Sequence, residues 1–134
     1  MEIIIGSARS DERKSYTGGK VGDQRHMKTP DYGGEVSQQK FYVHSKGWNI
    51  IRAKDDGVAK KLAKAMQTAC NNANIGYSQS DRYGILKYGT ATTQKCNADC
   101  SSLVRQCVKE ATGKDPGDFT TFNAVTKLRA TGLF

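Results

Sequence analysis

Apolar residues recur every four positions through "DDGVAKKLAKAMQTACNNAN", where Val58, Leu62, Met66 and Cys70 share one face and Lys60, Lys61 and Lys64 fall mostly to the other. This period predicts a packing helix capped by Asp55 or Asp56, with Cys70 as a core thiol. The same period returns in "ADCSSLVRQCVKEATG". Leu103, Val104, Cys107, Val108 and Ala111 form a stripe there, on a helix that begins near Cys100 and stops at Gly113. Pro116 and Gly117 then turn the chain, and a last helix is expected from about Thr121 to Thr131, with Phe122, Val125 and Leu128 inward. Strand signals are weaker. Ile3 to Ile5 read as a short strand in a stretch otherwise rich in Gly, Ser, Asp and Lys, with "TGGKVGDQ" and "TPDYGGEV" as turn formers. Residues 39–53, "QKFYVHSKGWNIIRA", hold two aromatic and β-branched runs broken by Ser-Lys-Gly, which predicts a hairpin. "IGYSQSDRYGILKYGT" is punctuated by glycines and reads as a loop with at most a short helix. The pattern as a whole is α+β.

A chain of 134 residues makes one domain, expected to span 1–134, and on folding it buries roughly two-thirds of the surface its unfolded form exposes. No apolar run reaches the ~18 residues of a membrane span and no basic-then-apolar leader is present, so synthesis in the cytoplasm without a membrane anchor is expected. The net charge of +8 favours anionic partners. Nucleic acid, anionic membrane surface and anionic cell-wall polymer all satisfy that. The basic residues are scattered without zinc-finger spacing or an RNA-recognition signature, which argues against nucleic acid.

Charge does not select the chemistry, but cysteine placement narrows it. Three of the four cysteines fall in "CNADCSSLVRQC", residues 96–107. Cys96 and Cys100 offer one pair of ligands with no matching Cys/His pair elsewhere, so neither a metal nor another cofactor is expected. A Cys96–Cys100 disulfide would be tight at a helix start. Cys107 lies on the apolar stripe and reads as packing. Cys100 differs, because Asn97 or Asp99 can cap the helix and leave Cys100 in its first turn, where unpaired N–H groups and the helix dipole favour an anion. Such a position is expected to lower a thiol pKa from about 8.5 toward ~7.5 or below, and the adjoining N–H groups can stabilise an oxyanion.

"DCSSLV", Asp99 to Val104, resembles the Asp-Cys-Ser-Gly-Leu-Val nucleophile motif of the NlpC-type cell-wall cysteine peptidases, a papain-like family that cuts peptidoglycan stem peptides. "GSARSDERKSYTGGKVGDQ", "HSKGWNIIRAK", "NIGYSQSDR" and "CNADCSSLVR" are similar, in that order, to stretches of the bacteriophage endolysins of that family. The resemblance covers most of the chain. It implies a papain-like fold and a peptidoglycan hydrolase whose nucleophile is Cys100. Tyr77 matches the upstream tyrosine that shapes the oxyanion site, across a gap longer than usual, and a surface-packing loop tyrosine is the competing reading. Asp99 and Ser101 flank the nucleophile and belong to the same oxyanion and substrate cleft. Asp23 and Gln24 in "GKVGDQ" match a lysin motif assigned here to the cleft, or else form a plain turn. Ser102 stands where the motif has glycine. The implied partner is the peptidoglycan of a Gram-positive wall, reached from the host cytoplasm after release.

A thiolate hydrolase also needs an imidazole, which in the resembled family follows the nucleophile on a strand. This chain has only His26 and His44, both before Cys100. Beyond Cys100 the pattern holds helices and no strand, and the chain stops at Leu133-Phe134. The expectation is therefore a C-terminally incomplete domain whose sheet and histidine lie on another segment, restored by a second fragment or chain. Two alternatives stand beside it. His44 is the base of a circularly permuted arrangement, or the chain is a catalytically incomplete subunit that binds wall polymer or a partner. Structural roles for the two histidines are a partly buried hairpin position for His44 and an exposed loop for His26.

Overall fold

The isoleucine run at the N-terminus does become a strand, and it extends past the glycine that follows it. In a computed structural model, which describes residues 1–9 and 35–134, β1 (Ile4–Ala8) pairs antiparallel with β2 (Val36–Lys40), in a register that sets Ile4 opposite Lys40 and Ala8 opposite Val36. Gly6 is where the first long helix lies against this pair. A Cβ at that position would stand 2.6 Å from Met66 Cγ and 3.0 Å from Cys70 Sγ, closer than packed carbon atoms approach.

That helix, α1 (Asp56–Cys70), starts as its sequence predicts: the Asp55 side chain accepts a hydrogen bond from Val58 N at 2.8 Å. Ala65, Ala69 and Cys70 are buried, Val58, Leu62 and Met66 half-buried, and Lys60, Lys61 and Lys64 exposed. The glycine-punctuated stretch after it contains more order than its composition shows. β3 (Ile75–Tyr77) lies parallel to β4 (Cys96–Ala98), with Tyr77 opposite Ala98, and the crossover between them carries the short α2 (Gly84–Tyr88). All six strand residues are buried, so no polar–apolar alternation marks them in the sequence. Helix α3 (Cys100–Thr112) ends on Gly113 at φ 73°, and α4 (Ala124–Ala130) follows. The described residues form a small α+β domain with two two-stranded sheets.

Two apolar clusters hold it together. The larger joins Ala8 and Val36 of the first sheet to Ala69 and Cys70 of α1, Ile75 and Ala98 of the second sheet, and Leu103 and Cys107 of α3. The smaller sits between α3 and α4 and contains Val108, Phe119 and Leu128. Leu133 and Phe134 pack against the latter, and Leu133 O accepts from Lys54 N at 2.9 Å. The last residues are thus anchored by the strand-free segment that leads into α1.

Three expectations are corrected. Residues 39–53 form no hairpin: strand pairing stops at Lys40, Phe41 N donates to Ile3 O at 2.8 Å, and the chain then leaves the sheet. Its rings pack on one another instead of across a ladder, Tyr42 and Trp48 edge to face at 5.4 Å and Phe41 and Trp48 at 6.0 Å. His44 accordingly sits on an irregular loop. The last helix begins three residues later than its periodicity indicates, and Phe122, in the turn before it, is 99% exposed. The stretch 75–90 is not merely a loop with a short helix, because it contributes β3 of the parallel pair. No helix among the described residues is long and apolar enough to cross a membrane.

Candidate functional site

The start of α3 is built by reciprocal capping. Asp99, in extended conformation, accepts from Ser102 N at 2.7 Å through Oδ1, while Ser102 Oγ accepts from Asp99 N at 2.9 Å. Ser101 Oγ donates to the same carboxylate oxygen at 3.1 Å. The serine at 102 therefore has a structural task that a glycine could not perform. Of the two capping candidates it is Asp99 that caps, and Asn97 is buried in β4 with its Nδ2 at 3.5 Å from Asp81 Oδ2.

Cys100 is the first residue of this helix and is half-buried. It opens into a cleft of about 560 Å³ whose other walls are β1 from Ile5 through Ala8 with Arg9, then Gln39, Tyr42, Trp48 and Tyr77. The structure thus brings Tyr77 to Cys100, because the parallel pairing of β3 and β4 ends both strands at one edge of the cleft. Tyr77 is 5% exposed, which excludes the surface-loop reading, and its N–H donates to Glu35 Oε2 at 2.9 Å. Glu35 is itself 1% exposed. Nothing in the sequence around Glu35 distinguishes it from a turn residue, so composition alone missed it. Tyr42 and Trp48 were also missed, since the hairpin reading spread them along a ladder instead of folding them over the cleft.

Asp99 also faces a cation. Its Oδ2 lies 3.2 Å from Arg82 Nε, with both side chains nearly buried. The pair is ionic rather than hydrogen-bonded, because Arg82 Nε has no hydrogen-bond partner with acceptable geometry. Arg82 Nη2 instead donates to Asp118 Oδ1 and to Phe119 O, each at 2.9 Å.

The electrostatics of the sulfur differ from the expected activation. Burial pushes the Cys100 thiol up and the adjacent Asp99 carboxylate pushes it further, while the Ser101 and Cys100 N–H groups and the Arg82 guanidinium pull it down; the net direction is up. The expectation of a thiol lowered by the helix start is corrected. The N–H groups are present, but the capping carboxylate that places them brings a like charge with it. Cys96 is raised to about 11, by burial and then by Asp81, and Cys107 to about 12, by burial and then by Glu110 and Cys70. All four thiols are free, so Cys96 and Cys100 form no disulfide. Cys70 and Cys107 are buried, as their helical positions predict. Among the described residues no cluster of three metal-ligating side chains occurs.

His44 is not in the cleft wall. Its Nδ1 accepts from Lys46 N at 3.0 Å, and its ring packs against Trp48 at 5.8 Å and Tyr42 at 6.1 Å. It therefore touches two rings that line the cleft without lining it itself. Asp23, Gln24 and His26 fall outside the described residues.

A family model described as an endolysin-like domain matches residues 5–134. No curated protein and no solved structure matches the chain significantly.

Proposed function

Given that the chain belongs to the endolysin-like domain family over nearly its whole length, a membership that suggests a cell-wall lytic role, we propose that it is a peptidoglycan hydrolase of phage or prophage type. Its nucleophile is Cys100, on a papain-like arrangement of helix and cleft, cutting an amide of the wall peptide. One observation carries this reading: Cys100 stands at the capped start of α3 and opens into a cleft shared with Tyr77. The sulfur attacks the amide carbonyl, the N–H groups of Cys100 and Ser101 that face it stabilise the oxyanion, and the amine leaves once protonated. Water then hydrolyses the thioester. Cleft and charge suit the substrate, since an open channel admits a polymer and a net charge of +8 draws the chain to anionic Gram-positive walls.

Because the isolated thiol is raised, ion-pair formation depends on an imidazole. His44 is not among the residues lining the cleft, which favours a base supplied by a further polypeptide segment over the permuted arrangement. The same two observations favour a second reading of the chain by itself, as a wall-binding or partner-binding subunit with little activity. Release of new amine termini from purified Gram-positive peptidoglycan tests the proposal, with and without an added fragment that supplies a histidine. Activity that disappears in Cys100→Ala supports it; activity retained in Cys100→Ala overturns it.

A further inference from the structure

A capping carboxylate placed directly before a nucleophilic sulfur creates a conflict. The buried Asp99 side chain holds the first turn of α3, yet its carboxylate opposes formation of a second anion on Cys100. A cation on the other carboxylate oxygen offsets that charge without disturbing the cap.

We propose that Arg82 is the positioning residue that supplies this cation, counter-charging Asp99 so that the start of α3 holds Cys100 in place and still accommodates a thiolate. The inference rests on Cys100 being the nucleophile. Four observations place Arg82 in this role. Its Nε lies 3.2 Å from Asp99 Oδ2, on the side of the carboxylate not used for capping. The two side chains are 12% and 10% exposed, so water screens the pair weakly. Nε is left without a hydrogen bond, so the guanidinium is directed by other contacts and acts on Asp99 by charge. Asp118 Oδ1 and Phe119 O hold Nη2, and Asp118 also accepts from Tyr83 OH at 3.1 Å and faces Arg105 Nη1 at 3.5 Å. The turn before α4 thereby aims a cation at the nucleophile's neighbour.

The charged groups around the sulfur define what a titration must separate. Asp99 and Arg82 act on it from the α2 and α3 side, the Arg9 side chain lines the cleft from the end of β1, and Glu35 lies behind Tyr77. Asp81 acts on Cys96. Only the Asp99–Arg82 pair is altered by the following variants.

The test is the pH dependence of iodoacetamide alkylation at Cys100 in the full chain, followed by mass spectrometry of the labelled peptide, with thermal melting to monitor folding. Arg82→Gln is expected to raise the apparent Cys100 pKa by about one unit, a roughly tenfold loss of thiolate at a given pH below it, with the limiting alkaline rate unchanged. Arg82→Lys retains most of the wild-type profile. Asp99→Asn keeps a good cap and lowers the pKa, and in that background Arg82→Gln shifts it less than in the wild type, by the direct action of the guanidinium on the sulfur alone. Equal profiles for wild type and Arg82→Gln, or equal Arg82→Gln shifts with and without Asp99→Asn, overturn the role of Arg82 while leaving Cys100 as nucleophile. If Arg82→Gln melts too low to assay, Arg82→Lys and Asp99→Asn decide in its place: a wild-type profile in Asp99→Asn overturns the proposal. A Cys100 that resists alkylation at every pH in the wild type removes the nucleophile itself, and the inference with it.

Discussion

Tyr77 and Cys100 face one cleft because Tyr77 pairs with Ala98 at the end of a parallel two-stranded sheet, two residues before α3 begins. The pairing converts a long sequence separation into adjacency. It also fixes the tyrosine by its backbone, through the Tyr77 N–H bond to buried Glu35, and leaves the ring to form the wall.

If the phenol contributes to the oxyanion site, Tyr77→Phe is expected to fold like the wild type and to lower peptidoglycan hydrolysis by about 10²-fold, the effect of losing one oxyanion donor. Tyr77→Ala is expected to cost about 3–5 kcal/mol of stability, the range for emptying a buried aromatic site. Denaturant midpoints and product release separate the two effects. A Tyr77→Phe variant of full activity would confine the residue to packing.

Cys100 in the chain alone is expected to alkylate slowly at neutral pH, with a midpoint above the ordinary thiol range of about 8.5. The sign follows from burial and Asp99 opposing the thiolate more than the N–H groups and Arg82 favour it. Addition of a segment that supplies the imidazole is expected to move the midpoint down. A midpoint below 8 in the isolated chain would contradict the geometry of the capped start.

Replacing His44 by Ala is expected to leave hydrolysis within about twofold of wild type, because its ring packs on Tyr42 and Trp48 and is not itself among the residues that line the cleft. Loss of activity with unchanged folding would transfer the role of base to His44.

Arg105 grips Asp115 with two hydrogen bonds, at 2.7 and 3.0 Å, and holds its carboxyl below the usual carboxylate range. A lowered folded-state pKa contributes stability that is present above the unfolded value and is lost as pH falls through the folded one. Asp115→Asn is thus expected to reduce stability at pH 7 by no more than about 1 kcal/mol, since the pair is partly exposed, and to lose less stability than wild type on acidification below about pH 4. Urea melts at pH 7 and pH 3 measure both.

Gly6→Ala is expected to destabilise the domain by about 1–3 kcal/mol, because the new methyl meets Met66 Cγ and Cys70 Sγ across the contact between α1 and the first sheet. Adding Met66→Ala removes the flexible neighbour and is expected to restore part of the loss. Additive destabilisation by the two changes would rule out that contact as the cause.

What the sequence alone determined is local and periodic. The start of α3 at Asp99, its apolar stripe and its end at Gly113 are readable because capping, a 3.6-residue period and a left-handed glycine act within a few residues of one another. The capped start of α1 and the burial of Cys70 are readable for the same reason. The aromatic run after Lys40 misled because β propensity describes a surface waiting for a partner, and β1 ends its pairing with β2 there. Tertiary structure decided everything that depends on long-range neighbours: the fully buried β3–β4 pair, the cleft that joins Tyr77 and Trp48 to Cys100, and the meeting of Arg82 with Asp99. It also decided the direction of the thiol's pKa. The helix start pulls that value down within one turn, but burial and a buried carboxylate push it up, and neither can be counted until the chain has folded around the sulfur.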